Sequence, residues 1–143
     1  MAEINKIVVV DASVVLSWLL PDEKITSKSN DLYKQYVDGK VKLLAPNLLW
    51  YEVVNGIKSA VVRKRIDKKN GKEAIERFYE LGLEFKNQSV FSKKVLEIAL
   101  KYDLSIYDAS YVALAKEVRS KLFTFDKKIL ENVEEVVLKR NVE

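Results

Sequence analysis

Residues 7–18 read Ile7-Val8-Val9-Val10-Asp11-Ala12-Ser13-Val14-Val15-Leu16-Ser17-Trp18, and this stretch decides the fold. Four consecutive β-branched residues, apolar at every position and not at alternate ones, suit a strand covered on both faces in the middle of a parallel sheet. Asp11 ends the run. Val14, Val15, Trp18 and Leu19 then recur at helical spacing from a start near Ser13, whose hydroxyl can cap the helix, until Pro21 stops it.

Outward from this unit, Ser27 to Val37 reads as a polar helix ended by Gly39, and Val41 to Ala45 as a short strand. Pro46 is placed to open a long helix reaching about Arg65. Helices are expected at Lys72 to Leu81, Val90 to Lys101 and Ile106 to Val118. Brief strands are expected at Leu83 to Phe85, Leu122 to Phe125 and Val136 to Leu138, with a helical turn at Lys127 to Leu130. Strands alternating with helices predict an α/β fold, a three-layer α/β/α sandwich with a mostly parallel central sheet, formed by residues 1–143 as a single domain. Ligands of such sheets sit beyond the carboxyl ends of the strands.

A chain of 143 residues, 48% of them hydrophobic, is long enough to bury roughly 70% of its unfolded surface without disulfides or structural zinc. It contains no Cys and no His. That excludes thiol nucleophiles, zinc knuckles, iron–sulfur clusters, Ser-His-Asp triads and imidazole bases. Chemistry near neutral pH falls to carboxylates, hydroxyls, lysines or a hard metal ion. The 25 basic and 21 acidic side chains leave a net charge of +4 and a pI near 9.1, which accommodates an anionic partner without demanding one. The Ile7 to Val10 run is too short for a signal-peptide core or a membrane span, so a cytoplasmic protein without membrane attachment is expected.

Four acidic residues stand where carboxylates are costly. Asp11 and Asp126 follow apolar runs and so lie at the carboxyl edge of expected strands, where each also reads as a helix N-cap. Asp108 precedes Tyr111, Val112 and Ala115 by three, four and seven positions, which places it within the apolar arc of its helix; Ser105 to Asp108 also reads as a capping box. Glu52 falls at the edge of a buried stripe formed by Leu49, Val53, Gly56, Ile57 and Ala60, and reads equally as a boundary Glu pairing with Lys58 or Arg63. Gathered in one crevice, each pair of like charges about 5 Å apart costs roughly 3 kcal/mol at an effective dielectric near 20, so such a cluster calls for cations. Oxygen-only ligation selects Mg²⁺ or Mn²⁺, and the chemistry that follows is metal-assisted hydrolysis.

Four blocks at these residues, VVVDASVVLSWLLPDE around Asp11, APNLLWYEVVN around Glu52, LSIYDASYVALAKE around Asp108 and LFTFDKKIL around Asp126, resemble the PIN-domain nucleases, most closely the VapC-type toxins of toxin–antitoxin pairs. The blocks keep the family's order from about Ile7 to Leu130. The resemblance implies a PIN-like parallel α/β sheet and an acidic pocket that binds Mg²⁺ or Mn²⁺ and cuts RNA. Carried over by position, Asp11, Glu52, Asp108 and Asp126 are the catalytic and metal-binding acids. Ser13, Asn55 and Thr124 match polar positions that orient the acids or the substrate. The resemblance also implies a cognate antitoxin, whose basic tail enters the acidic pocket, and a homodimer.

An RNA substrate must also be held. The basic segment containing Arg63, Lys64, Arg65, Lys68 and Lys69, together with Lys127 and Lys128 beside Asp126, can track phosphates or simply remain solvated. Trp18, Trp50 and Tyr51 can stack on bases, although their helical spacing favours packing in the core. A non-catalytic RNA-binding or assembly module on the same fold is the alternative. Acyl-phosphate chemistry is disfavoured because Ser13 stands where the phosphatases of that kind have a second Asp. No glycine-rich phosphate loop follows Val10.

Overall fold

The run that opens the fold lies at the centre of its sheet. In the computed structural model, which describes residues 6–133, β1 (Lys6–Val10) is flanked on both sides by parallel strands, and Val8, Val9 and Val10 are fully buried. On one side β2 (Val41–Pro46) pairs Leu43 with Val8 and Leu44 with Val9, and carries β3 (Glu84–Lys86) at its outer edge. On the other side β4 (Lys121–Phe123) pairs Leu122 with Val9 and Phe123 with Val10. The order is β3-β2-β1-β4, all parallel.

That order fixes where the helices go. Two successive connections step the same way: α1 (Ala12–Leu19) and α2 (Ser27–Val37) lead from β1 to β2, and α3 (Leu48–Val62) and α4 (Lys68–Leu81) lead from β2 to β3. The third, through α5 (Ser92–Tyr102) and α6 (Ile106–Glu117), reverses direction to place β4 beside β1, and α7 (Lys127–Asn132) follows. Right-handed crossovers therefore put α1 to α4 on one face and α5 and α6 on the other. The packing agrees: α1 contacts α2, α3 and α4, whereas α6 contacts α5 and strands β1, β2 and β4. The expected three-layer α/β/α arrangement is present. Its reversal point lies between β1 and β4, and at their carboxyl ends sheets of this kind leave a crevice as the helices part to opposite faces.

Several boundaries differ from expectation. Of the two caps the sequence offers for α1, Asp11 takes the role by accepting the Val14 N–H at 3.2 Å, and the helix starts at Ala12, one residue ahead of Ser13. Pro46 does not open α3 but ends β2. Backbone N–H groups alternate sides along a strand, and the Asn47 N–H bonds toward β3 at Lys86 O; the missing Pro46 N–H therefore faces β1, whose pairing with β2 stops at Leu44. α4 starts four residues early, at Lys68, because Asp67 accepts the Asn70 N–H at 2.7 Å and caps it. The helix expected from Val90 divides into a 3₁₀ turn, Gln88–Phe91, and α5. The strand expected at Val136 to Leu138 lies outside the described residues.

α3 lies close against α1 at Gly56, where a Cβ would stand 2.5 Å from Leu16 Cδ1. The glycine sets the spacing between the helix that carries Glu52 and the helix that follows Asp11. Gly56→Val is expected to force Leu16 from its rotamer and lower stability by about 1–3 kcal/mol, read as a lower urea midpoint with an unchanged slope.

Candidate active site

Asp11 leaves β1 directly into the crevice and is only 6% exposed. Its Oδ1 accepts from the Ser13 hydroxyl at 2.6 Å and from the Val14 N–H at 3.2 Å, and its Oδ2 accepts from the Thr124 hydroxyl. Thr124, just past β4 and buried, also accepts the Asp126 N–H at 2.9 Å, while the Ser13 hydroxyl accepts the Phe125 N–H at 3.3 Å. The ends of β1 and β4 are thus laced together through two hydroxyls. Asp126 caps α7 by accepting the Ile129 N–H at 3.0 Å, so its capping role and its place at the crevice coexist.

Glu52 stands in the second turn of α3, half-buried, and accepts the Tyr111 hydroxyl on Oε1; it does not pair with Lys58 or Arg63. Asp108 lies in the first turn of α6, where its N–H donates to the Ser105 hydroxyl at 3.0 Å. The reason it is partly buried differs from the expected one. α6 has no polar side from Ala109 to Ala115, every residue of which is buried between α5 and the sheet, so Asp108 marks the mouth of a central helix and not one arc of an amphipathic one.

The carboxyls of Asp11, Glu52 and Asp108 each feel a neighbouring acid. Burial, opposed by the hydroxyl and amide donors and reinforced by Asp126, pushes the Asp11 carboxyl up to about 6. Glu52 is also raised, first by burial and then by Asp11, Asp108 and Asp126, although the Tyr111 hydroxyl lowers it. Burial and Asp126 raise Asp108, and Lys128 partly offsets this. Burial and the nearby Glu52 charge hold the Tyr111 phenol far above its ordinary range, so it remains a donor.

This is an oxygen-only set in which burial and neighbouring carboxylates oppose the charge of Asp11, Glu52 and Asp108, the state that a hard divalent cation relieves. The donor chemistry fits Mg²⁺ or Mn²⁺. Among the described residues no three acidic side chains stand within a single ion's ligand shell, so a cation would have to draw them in from these positions.

Of the other residues singled out, Ser13 and Thr124 bond to Asp11, and Lys127 and Lys128 are exposed in the first turn of α7 next to Asp126, Lys128 near enough to Asp108 for its charge to be felt. Asn55 is exposed nearly one turn beyond Glu52. Arg63, Lys64, Arg65, Lys68 and Lys69 do not join the acids. They follow the far end of α3, and at 1.5 Å per residue Arg63 lies about 16 Å along the helix axis from Glu52. Arg65 is moreover engaged by Asp22 and Glu23 at 2.7 and 3.1 Å.

Trp18 packs on Tyr33 and donates to Ser29 O at 3.1 Å. Trp50 and Tyr51, expected in the core, are instead 50% and 70% exposed, because the buried stripe of α3 runs through Leu49, Val53, Ile57 and Ala60 and these two are rotated off it. Tyr111 was legible only as core. The signal was a phenol within the predominantly apolar stretch Ala109 to Ala115, whose hydroxyl must find a partner once buried.

The PIN domain family model matches residues 8–136. Ribonuclease VapC3 of Pyrobaculum aerophilum is 28% identical over 125 residues, covering 86% of this chain and 92% of its own length. Ribonuclease VapC9 of Mycobacterium tuberculosis is 30% identical over 119 residues, covering 83% of this chain and 85% of its own. The crystal structure of PAE2754 from Pyrobaculum aerophilum shares the fold with a TM-score of 0.68 at 21% identity, covering 96% of this chain and 91% of that one.

Because the Asp11 carboxyl rises from 3.8 to about 6 on folding, the native state binds the extra proton between these values. Its contribution to stability is present below pH 4 and lost as pH rises through 6, to the extent of about 3 kcal/mol. In chelator, urea unfolding at pH 4.5 and 7.5 should show the wild type losing stability relative to Asp11→Asn as pH rises, with the variant the more stable at pH 7.5.

Proposed function

Because the chain belongs to the PIN domain family, we propose that it is an endoribonuclease that hydrolyses RNA phosphodiester bonds with Mg²⁺ or Mn²⁺ and serves as the toxin of a toxin–antitoxin pair. The observation that carries the reading is the buried Asp11 at the end of β1, its two oxygens held by Ser13, the Val14 amide and Thr124, with Asp126 following β4 and with Asp11, Asp108 and Asp126 all close enough to Glu52 to raise its carboxyl. The names of the ribonuclease relatives support the substrate class.

In this reading the four carboxylates hold the ion. When bound, the ion supplies a more acidic attacking water and neutralises charge on the phosphate. Ser13, Thr124 and the Val14 amide hold both oxygens of Asp11 in place, so this ligand needs little reordering when an ion arrives. Lys127 and Lys128 offer cationic contacts for substrate phosphate at the mouth of the crevice, and Asn55 a polar contact beyond Glu52. Trp50 and Tyr51, an exposed edge-to-face pair with centroids 5.1 Å apart just ahead of Glu52, present ring surface to unstacked bases. Arg63, Lys64, Lys68 and Lys69 can meet only RNA that extends well beyond the scissile bond.

The proposed partners are an antitoxin whose basic residues enter the acidic pocket and a second copy of this chain. A cytoplasmic location accords with that role. No helix among the described residues is long and apolar enough to cross a membrane.

Purified protein is expected to cleave RNA with Mg²⁺ or Mn²⁺ and to stop in chelator. Asp11→Asn and Asp108→Asn should each lower kcat by about a hundredfold or more while melting as cooperatively as the wild type. Lys128→Ala should raise KM, whereas Lys68→Ala with Lys69→Ala should leave cleavage of short RNA unchanged. Turnover that survives both acid substitutions would overturn the reading. Salt-sensitive RNA binding without turnover would instead support the non-catalytic module.

A further inference from the structure

We propose that Tyr111 is a positioning residue for Glu52, fixing one carboxylate oxygen so that the other is presented to the cation, an inference that rests on the metal-site reading above. Tyr111 is 2% exposed, in the middle of a helix whose residues from Ala109 to Ala115 are all buried. The other hydroxyl of that stretch, Ser110, bonds back to its own helix at Ile106 O, 2.8 Å away. The Tyr111 hydroxyl leaves the helix and donates to Glu52 Oε1.

The direction of that bond is set by its acceptor: a carboxylate oxygen has no hydrogen to give, so the phenol donates, and Tyr111 is held as a donor by burial and the Glu52 charge. The bond therefore ties α6 to the carboxylate on α3 across two layers of the fold. Asp11 has both its oxygens held by neighbours of its own; for Glu52 the bond from Tyr111 does that work, and it engages Oε1 alone. A phenylalanine would fill the same volume. A tyrosine that only satisfied its own hydroxyl would leave cation affinity indifferent to its loss, and this separates positioning from packing.

Calorimetric titration with Mn²⁺ of the wild type, Tyr111→Phe, Glu52→Gln and the double variant tests the inference, with thermal melts confirming that each is folded. Tyr111→Phe is expected to weaken Mn²⁺ binding by about ten- to a hundredfold and to have no added effect in the Glu52→Gln background. In RNA cleavage at saturating Mn²⁺, kcat should fall with KM unchanged. 3-Fluorotyrosine at position 111, which keeps the core volume and the hydroxyl, is the second variant. Its altered donor strength should shift Mn²⁺ affinity when Glu52 is present and not in Glu52→Gln. Mn²⁺ affinity unchanged by either substitution, or changed equally without Glu52, overturns the inference while leaving the metal site standing. A wild-type protein that binds no Mn²⁺ overturns both.

Discussion

A carboxylate at the end of a strand whose last three residues are sealed from water loses most of its hydration, and the structure must replace it. Asp11 is in that position, and the crevice is organised around its compensation. Two hydroxyls and an amide supply three donors to its oxygens, drawn from α1 and from the segment after β4. Even so the balance stays unfavourable to charge, because burial and Asp126 together outweigh the donors. A site left in that condition has free energy to release when a divalent cation arrives.

The same constraint explains why hydroxyl residues line the crevice and lysines stay at its rim. Lys128 reaches Asp108 only as a charge at a distance, and the ion pairs at Arg65 and Glu84 involve none of the four acids. Neutralising the cluster with a protein cation would remove its attraction for any external cation. Hydroxyls orient a carboxylate without cancelling its charge, which under the proposed function keeps the site attractive to an external ion and then to a phosphate.

Strand order turns this local arrangement into a shared one. Had β4 been added outside β3, Thr124 and Asp126 would lie three strands from Asp11. The reversal that seats β4 against β1 brings them adjacent, and the register pairing Val10 with Phe123 aligns the two strand ends. Helices α3 and α6, from opposite faces, then contribute Glu52 from the second turn of one and Asp108 from the first turn of the other, and the buried Tyr111 hydroxyl bridges the layers.

The sequence by itself determined the elements and the fold class, because apolar runs, helical spacing and capping residues are local: β1, α2 and the strand-to-helix turns at Asp11 and Asp126 lie where their residues place them. It also marked the four acids: Asp11 and Asp126 because a charge following an apolar run is conspicuous in one dimension, Glu52 and Asp108 because each stands against an apolar stretch of its own helix. Tertiary structure alone decided the rest. Whether Pro46 ended a strand or began a helix depended on which neighbour its missing N–H would face. Whether Trp50 and Tyr51 were covered depended on what packed against α3. Tyr111 became a partner of Glu52, 59 positions away, only because two layers close over one crevice, and the basic segment after α3 was carried from the acids by the helix length between them. Periodicity records which face of an element is dry; it holds no record of which distant residue shares that dryness.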